Sequence, residues 1–482
     1  MFETDSERPQ NFAMGVMTFA PTQAEPTAAE LTELVARYDG RVPRYTSYPT
    51  APHFTAAVDS NVYANWLAEL PAEQRLSLYL HVPFCDRLCL YCGCNTSVVR
   101  LESSRRAYAT LIMREIDRVA DLVGRRAAVS HVHWGGGTPT TLPADCLLAI
   151  MDRLRQRFAF ARDAEIAIEI DPTSLPVDRR DALGPMGVTR ISLGVQDFEP
   201  AVQRAIGREQ SYEATQACAD AARAIGVGSL NLDLIYGLPL QTIDSVRRTA
   251  RRALDLRPDR VAVFGYAHVP WMKRHQALLP EEQLPGPVER HAQASVIHSV
   301  LTAEGGYAAI GLDHYALPHD AMAEAAAGRR LKRGFQGYTT DDAPGLIGFG
   351  ASAIGSLPQG YVQNAPTAAS YARAIEAGGL AAVRGVALSD DDRLRRDAIE
   401  RLMCDLYVDL DAVAANRAAD PAPLKSAAAA GIGRFVDDGL ARWDGSQISV
   451  TDRGRPFVRS IAALFDAYLD RSESGPRHSR AV

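Results

Sequence analysis

The sequence contains no run of about 18 apolar residues, the length that a membrane-spanning helix requires. It also lacks the basic start and apolar stretch of a secretory signal, because it begins MFETDSERPQNFAMGV. Hydrophobic residues make up 47% and charged residues 23% of the 482 residues, as in ordinary globular proteins. We therefore expect a soluble, cytoplasmic protein without membrane insertion, long enough for one large domain and a smaller one.

An excess of basic charge is absent as well. The formal net charge is -6, whereas a general nucleic-acid binder needs a basic face to neutralise phosphates. Lysine occurs only at Lys273, Lys332 and Lys425, and we infer no chemistry from that bias. We expect no nucleic-acid partner.

The cysteines do not form the evenly spaced set of a disulfide framework. Four of the seven fall within ten residues, at Cys85, Cys89, Cys92 and Cys94, and the others are scattered along predicted helices. Four thiols in one loop predict a metal centre. Structural zinc sites usually draw their ligands from two separated pairs, which makes zinc the less favoured alternative. A cuboidal iron-sulfur cluster held by three thiolates leaves one iron free to take a small molecule.

Short apolar or β-branched runs alternate with amphipathic helical stretches over the central part of the chain. The predicted strands cover residues 76–82, 129–134, 165–170, 189–194, 229–235 and 260–264. Repeated strand-helix units imply a parallel sheet with helices outside. This sheet is either open and doubly wound, or curved into a full or partial barrel. Unusual polar residues follow several strand ends, as at the top face of a barrel. We predict an α/β fold with a partial (β/α)6-type barrel.

Three regions are predicted along the chain. Residues 1–37 form an N-terminal tail and a short helix, residues 38–365 a barrel domain with an N-terminal lid segment, and residues 366–482 a smaller, mainly helical domain. The end of the last region is predicted to form a helix, a hairpin that turns at Asp444 and Gly445, and another helix, which is like a winged helix. Because this stretch is not strongly basic, we favour a structural cap over a DNA-binding module.

The spacing CxxxCxxC after a predicted strand, with Tyr91 before the third cysteine, resembles the signature of the radical S-adenosylmethionine superfamily. GGGTP at residues 135–139 fits the same superfamily, because glycines after a strand allow close approach of a ligand. Other segments resemble the oxygen-independent coproporphyrinogen III oxidase family within it: RYTSYPTA, CGCN, HVHWGGGTPT, EIDP, GVQDF, NLDLIYGLP, GYAHVP and FQGYTT. The resemblance runs from about residue 38 to the carboxyl end.

This resemblance implies a 4Fe-4S cluster on Cys85, Cys89 and Cys92 and two bound molecules of S-adenosylmethionine. The molecule at the cluster would contact Tyr79, Gly136, Glu169 and Ile354. The second molecule would contact Tyr91, Gly137, Thr138, Gln196, Arg208, Asp233 and Ala267. Tyr79 and Cys94 are the predicted catalytic residues, although Cys94 has two interpretations: a group near the second cofactor or the substrate, or a small loop residue.

The resemblance further implies a reaction and its participants. Two propionate side chains of coproporphyrinogen III would be oxidatively decarboxylated to vinyl groups, giving protoporphyrinogen IX, with an unidentified electron donor and acceptor and a monomeric enzyme. A tetracarboxylate should meet cations and aromatic faces, for which we select Arg44, Tyr45, Tyr48 and Gln336.

Two other functions compete with this one. Another radical S-adenosylmethionine enzyme could modify a tetrapyrrole, for example by anaerobic haem opening, but such relatives tend to lack the fourth cysteine. A haem chaperone usually carries an aromatic residue at the position of Cys94 and lacks RYTSYPTA. This chain instead has both oxidase-type features, the cysteine and the RYTSYPTA segment. The resemblance therefore favours the oxidase.

Overall fold

A computed structural model describes residues 28–124 and 128–469 of the protein. The predicted tail up to residue 27 lies outside the described residues. The strands are β1 (Leu76–Val82), β2 (Phe84–Cys85), β3 (Ser97–Val98), β4 (Ala128–Gly136), β5 (Ala159–Ile170), β6 (Arg190–Gln196), β7 (Ser229–Tyr236), β8 (Arg260–Gly265), β9 (Ala308–Ile310), β10 (His314–Ala316), β11 (Lys332–Gly334), β12 (Gly337–Thr339), β13 (Gly345–Phe349), β14 (Ile354–Leu357), β15 (Gly360–Asn364), β16 (Ala382–Ala387), β17 (Tyr407–Asp409), β18 (Ala441–Trp443) and β19 (Gln447–Val450).

Helices follow most of the barrel strands and make up much of the rest of the described chain. They are α1 (Ala28–Tyr38), α2 (Ser60–Ala68), α3 (Glu102–Val123), α4 (Ala144–Arg157), α5 (Val177–Met186), α6 (Pro200–Ala205), α7 (Tyr212–Ala224), α8 (Ile243–Asp255), α9 (Pro287–Ser299), α10 (Ala321–Ala327), α11 (Ala368–Glu376), α12 (Asp390–Asp405), α13 (Leu410–Ala415), α14 (Ala422–Ala429), α15 (Gly433–Asp437) and α16 (Val458–Ala462). None of these helices combines the length and the apolar character that crossing a membrane would require.

The main sheet has six parallel strands at its centre, in the order β1, β4, β5, β6, β7 and β8. Each of them overlaps one of the six strands predicted from the sequence. One cavity is lined by a side chain from every one of these strands: Ser77, His131, Glu165, Arg190, Asn231 and Arg260. A flat sheet could not bring these six side chains around one space. The predicted α/β fold with a partial barrel is therefore confirmed.

Strand β1 shows how the sequence pattern produces this barrel. Leu76, Leu78, Leu80 and Val82 are fully buried and belong to the main hydrophobic core, whereas the alternate residues are polar or aromatic and point the other way. The apolar side chains pack under the surrounding helices, so the interior of the barrel can carry polar groups.

Beyond the barrel, the sheet continues through antiparallel strands. Strand β13 pairs with β1 in parallel, and β14, β15 and β16 follow it as an antiparallel extension that ends at Ala387. The predicted division between residues 365 and 366 falls within this extension. Helices α12 to α16 come after it, with a small sheet in which β19 pairs with both β17 and β18. The hairpin predicted at Asp444 and Gly445 joins β18 to β19.

The N-terminal helix packs against the C-terminal helices. Tyr38 of α1 stacks on Phe435 with ring centroids 4.7 Å apart, and its hydroxyl donates to Asp438 at 2.6 Å. Tyr45 and Tyr48 belong to the same hydrophobic core. Helix α1 and the segment that follows it are therefore packed against the C-terminal helices.

A buried carboxylate joins the antiparallel extension to the barrel helices. Glu115 on α3 is 1% exposed and accepts hydrogen bonds from Gly350 N and Asn364 Nδ2, both at 2.8 Å, and from the Tyr371 hydroxyl at 2.7 Å. Burial raises the pKa of Glu115 to about 7, although these three donors oppose the shift.

Substitution of Glu115 by Gln should remove one component of the pH dependence of stability. Because the pKa is raised in the folded state, the contribution of Glu115 is fully present below its ordinary pKa of 4.5 and is lost as the pH rises to about 7. The loss is on the order of 3 kcal/mol, since one pKa unit corresponds to about 1.4 kcal/mol. Chemical unfolding of wild type and Glu115→Gln between these pH values measures it. Glu102→Gln, which changes an exposed carboxylate on the same helix, is the control. Equal slopes in wild type and Glu115→Gln would contradict the assignment.

Candidate active site

The clustered cysteines lie in the loop that follows β1. Strand β2 ends at Cys85 and pairs in parallel with β3, and Cys89, Cys92 and Cys94 lie in the loop between them. Thr138 Oγ1 lies 3.9 Å from the sulfur of Cys85, and Arg208 Nη1 lies 3.5 Å from that of Cys89. In the described part of the chain, no three or more His, Cys, Asp or Glu side chains form a group that could hold a metal ion. The ligands of a cuboidal cluster bind different iron atoms and need not converge on one point.

The surroundings of the loop suit thiolate ligands. A hydrogen bond from Cys94, together with the charges of His275 and Lys273, lowers the pKa of Cys92 to about 6. Burial raises the pKa of Cys85 to about 11, and binding to iron would remove that proton. A Cβ at Gly137 would lie 2.6 Å from the carbonyl oxygen of Phe84 and 3.0 Å from the sulfur of Cys85, so the end of β4 passes the loop only because this residue is glycine.

The segment after β8 holds the backbone of this loop. Lys273 Nζ donates to the carbonyl oxygen of Cys94 at 2.8 Å, His275 Nε2 to that of Cys92 at 2.7 Å, and Gln276 Nε2 to that of Tyr91 at 2.9 Å. None of these three residues was predicted as part of the site from the sequence. Their one signal was a position after a barrel strand, since they match no spacing of metal ligands.

A carboxylate at the end of β5 faces the glycines that end β4. Glu169 accepts from His133 Nε2 at 2.9 Å and from Gly136 N at 3.3 Å. Although burial opposes it, the hydrogen bond and charge of His133 hold the pKa of Glu169 below its ordinary value. Glu169 is therefore an ionised carboxylate at the centre of the strand ends.

Tyr79 lies beside this carboxylate. Its ring centroid is 5.8 Å from that of His133, and its hydroxyl is 3.1 Å from His81 Nδ1. Burial lowers the pKa of His81, whose Nε2 donates to the carbonyl oxygen of Asn95 at 3.1 Å. Neutral His81 therefore accepts from Tyr79 and joins β1 to the cysteine loop.

A second group of polar residues follows β6 and β7. Arg208 Nη1 donates to Asp171 at 2.9 Å and Nη2 donates to Gly194 O at 2.7 Å. Asp233 on β7 accepts from Ser192 at 3.0 Å, and burial raises its pKa, with a further contribution from the charge of Glu169. Gln196 ends β6 with a left-handed backbone (φ 67°), which turns the chain at the strand end.

Two cavities meet at Glu169, which lines both. The larger has a volume of about 1470 Å³ and is also lined by Arg44, Cys94 and Ala267. The smaller has a volume of about 950 Å³ and lies inside the barrel, where Asp233 lines it. Cys94 therefore faces the larger cavity and is the exposed member of the cysteine group.

The residues predicted for substrate binding do not all lie together. Arg44 lines the larger cavity, and Gln336 lines both cavities. Tyr45 and Tyr48 line the smaller cavity instead, where the Tyr45 hydroxyl donates to Asp466 at 3.0 Å and the Tyr48 oxygen accepts from Ala467 N at 3.0 Å. Tyr45 has a left-handed backbone (φ 46°), which turns its side chain away from that of Arg44. Ile354, predicted for the cofactor, lies on β14 and lines neither cavity.

The chain was compared with known proteins. The profile of the Radical SAM superfamily matches residues 79–253. An oxygen-independent coproporphyrinogen III oxidase of Bradyrhizobium diazoefficiens is 51% identical over 443 residues, which cover 92% of this chain and 97% of the relative. A protein of the same name from Paracoccus denitrificans is 43% identical over 453 residues, with 93% and 98% covered.

This chain belongs to the oxygen-independent coproporphyrinogen III oxidase family. A solved structure from this family, coproporphyrinogen III oxidase (HemN) from Escherichia coli, is 38% identical and superposes with a TM-score of 0.84 over 89% of this chain and all of that one. Membership of the radical S-adenosylmethionine superfamily implies a 4Fe-4S cluster and S-adenosylmethionine as cofactors. The donor set fits them, because thiols and an ionised carboxylate surround glycines whose missing Cβ atoms leave the strand end open.

Substitution of Gln276 by Ala should weaken retention of the cluster. Gln276 is fully buried and spans from Val269 N to the carbonyl oxygen of Tyr91, so truncation leaves two partly buried backbone groups without this partner. Each such group costs about 1–3 kcal/mol. We expect the reconstituted Gln276→Ala protein to lose iron to a chelator several-fold faster than wild type, as measured by the decay of cluster absorbance. Gln283→Ala, at an exposed position in the same segment, is the control. Equal rates for wild type and Gln276→Ala would show that this contact does not support the loop.

Proposed function

We propose that this protein is an oxygen-independent coproporphyrinogen III oxidase of porphyrin and haem biosynthesis. It converts two propionate side chains of coproporphyrinogen III to vinyl groups and so forms protoporphyrinogen IX. The observation that carries this proposal is a cysteine loop and an ionised Glu169 beside one large cavity lined by seven arginines and only four carboxylates. A surplus of guanidinium groups in a protein of net charge -6 suits a substrate with several carboxylates.

Cys85, Cys89 and Cys92 would hold the cluster, and Glu169 with the backbone of Gly136 would bind S-adenosylmethionine beside it. When bound, these cofactors supply one-electron reduction of the sulfonium and a 5′-deoxyadenosyl radical that removes hydrogen from the propionate carbon attached to the pyrrole. The protein binds and orients the reactants. Glu169 provides a fixed acceptor for amine or hydroxyl groups, and Tyr79 packs beside His133, which keeps Glu169 ionised.

Loss of carbon dioxide then leaves one electron, which passes to an acceptor outside the structure. Two propionates need two such events. The electron donor, the acceptor, the monomeric state and the division into domains at residues 37 and 365 stay predictions.

A second molecule of S-adenosylmethionine is part of this proposal. Its predicted contacts are Tyr91, Gly137, Thr138, Gln196, Arg208, Asp233 and Ala267. In support, Gly137 and Thr138 lie against the sulfur of Cys85, and Arg208 lies against that of Cys89. Asp233 offers a carboxylate for hydroxyl groups, and Arg208 a cation for a carboxylate. Cys94 faces the neighbouring cavity, which favours a role near this molecule or the substrate.

The decisive experiment is anaerobic turnover of the reconstituted protein with dithionite, S-adenosylmethionine and coproporphyrinogen III. Wild type should form protoporphyrinogen IX and 5′-deoxyadenosine, and Cys92→Ser should form neither, because the cluster loses a ligand. Cys146→Ser, which changes a buried cysteine on α4 away from the loop, should retain both products.

The outcomes separate the parts of the proposal. If wild type cleaves the cofactor and leaves this porphyrinogen unchanged, the radical chemistry stands and the substrate is wrong. If haem binds without turnover, the protein acts as a haem carrier.

The second cofactor can be counted by equilibrium binding of labelled S-adenosylmethionine to the reconstituted protein without reductant. Wild type should bind two molecules per chain. Asp233→Asn should lose the weaker of the two, because an amide cannot replace an acceptor for two hydroxyl groups, whereas Glu169→Gln should lose the molecule at the cluster. A stoichiometry of one in wild type would refute the second molecule.

A further inference from the structure

The larger cavity carries positive charge close to the end of β8. Its seven arginines exceed its carboxylates by three, and two of them approach the same residue, Gly265. Arg44 Nη2 donates to the carbonyl oxygen of Gly265 at 2.9 Å. Arg290, on α9, places its guanidinium over the other side of Gly265, where Nη2 would lie 3.2 Å from a Cβ at that position. The two side chains come from segments far apart in the chain, and both approach the end of β8.

Neither guanidinium is neutralised by a carboxylate. Over the described residues, Arg44 bonds to Gly265 O and Arg290 Nη1 bonds to Tyr266 O at 2.9 Å, and neither forms an ion pair with a carboxylate. The nearby acid, Asp313, is already paired with His314 at 2.8 Å and lies 4.0 Å from Arg333. The remaining N–H groups of Arg44 and Arg290 are therefore available to a ligand in the cavity.

Two further arginines of the same cavity, Arg333 and Arg459, lie close to this pair. Arg333 Nη2 donates to the backbone oxygen of Arg44 at 3.3 Å, and the Arg333 side chain is 5% exposed. Burial lowers the pKa of Arg44. The charges of Arg333 and Arg290 lower this pKa further, whereas the charge of Asp313 raises it. Burial and the charges of Arg44 and Arg333 lower the pKa of Arg459 to about 9. Such mutual repulsion is relieved when an anion enters.

We propose that Arg44 and Arg290 form a two-guanidinium clamp that binds one carboxylate of the substrate at the end of β8. This inference rests on the proposed function, since it names the group that the substrate presents there. Two guanidinium forks can donate to both oxygens of one carboxylate, which fixes its direction as well as its position. The clamp would orient the macrocycle relative to Cys94 and Glu169, which line the same cavity.

Glycine is required at two places for Arg290 to lie as it does. A Cβ at Gly237, whose φ is +82°, would lie 2.8 Å from Arg290 Nη1, and a Cβ at Gly265 would lie 2.9 Å from the Tyr236 hydroxyl as well as close to Arg290. The atoms that a Cβ at Gly265 would meet are the ends of side chains, and the backbone of Gly265 is outside the left-handed region. Gly265→Ala should therefore move the Tyr236 hydroxyl and, by a few tenths of an ångström, Arg290, without disrupting the fold.

The test measures binding of coproporphyrin III, the air-stable tetracarboxylate, to the reconstituted holoenzyme with S-adenosylmethionine by fluorescence titration. Arg44→Gln and Arg290→Gln should each raise the Kd about tenfold or more, as expected for lost charge-assisted hydrogen bonds, and Gly265→Ala should raise it by a smaller factor. The double variant Arg44→Gln/Arg290→Gln should bind more weakly than either single variant, and its effect should differ from the product of the two single effects, because both side chains serve one carboxylate. The uncharged tetramethyl ester should bind wild type and variants equally.

Arg41→Gln is the matched control. Arg41 lines the same cavity and is exposed, as Arg44 is, but it stacks on Trp271, 4.7 Å from the ring centroid, so its loss removes the same charge without touching the clamp. We expect its Kd to change no more than about twofold, because a charge that donates no hydrogen bond to the carboxylate is screened by salt. If Arg44→Gln and Arg290→Gln bind coproporphyrin III as Arg41→Gln does, the clamp is refuted. If the clamp variants lose binding while wild type fails to convert coproporphyrinogen III, the clamp stands and the proposed function fails.

Discussion

The whole site depends on parallel strands that all end at one edge of a curved sheet. Because β1, β4, β5, β6, β7 and β8 run in the same direction, residues that are far apart in the chain meet where these strands stop. The alternation of apolar and polar residues in β1 directs one set of side chains to the helices and the other to the interior. The cysteine loop, the glycines at the end of β4 and Glu169 on β5 can therefore lie near one another, and Gly136 N donates to Glu169.

Within that frame, charge is distributed unevenly. Glu169 is ionised through His133 and lines both cavities, and the larger one brings Cys94 and seven arginines to the same space. Several of these arginines are held by backbone carbonyl oxygens, among them Arg44, Arg290 and Arg459. Carbonyl partners orient a guanidinium without cancelling its charge, so the cavity keeps its attraction for anions. A site for a polyanionic substrate needs this property.

The segment after β8 connects the two halves of the site. Lys273, His275 and Gln276 donate to the backbone of the cysteine loop, and Gly265 and Tyr266, just before them, accept from the arginines. A shift of Gly265 or Tyr266 in the cavity is therefore transmitted to the cysteine loop through one short stretch of chain. In metal centres generally, groups that orient the ligands affect the site nearly as much as the ligands do.

The sequence by itself determined the six barrel strands and the hairpin before β19, because periodicity and turn chemistry act over neighbouring residues. The spacing of the cysteines in one loop likewise indicated the cluster site. The family motifs identified Glu169, Arg208 and Asp233 as site candidates, although their partners His133 and Asp171 could not be inferred. Only the tertiary structure decided that Tyr45 and Tyr48 lie in the core with the C-terminal helices, whereas Arg44 beside them faces the large cavity. It also decided that Arg290 meets Arg44. Such contacts depend on the curvature of the sheet and on the path of segments distant in the chain. Neither of these produces a periodic pattern in the sequence.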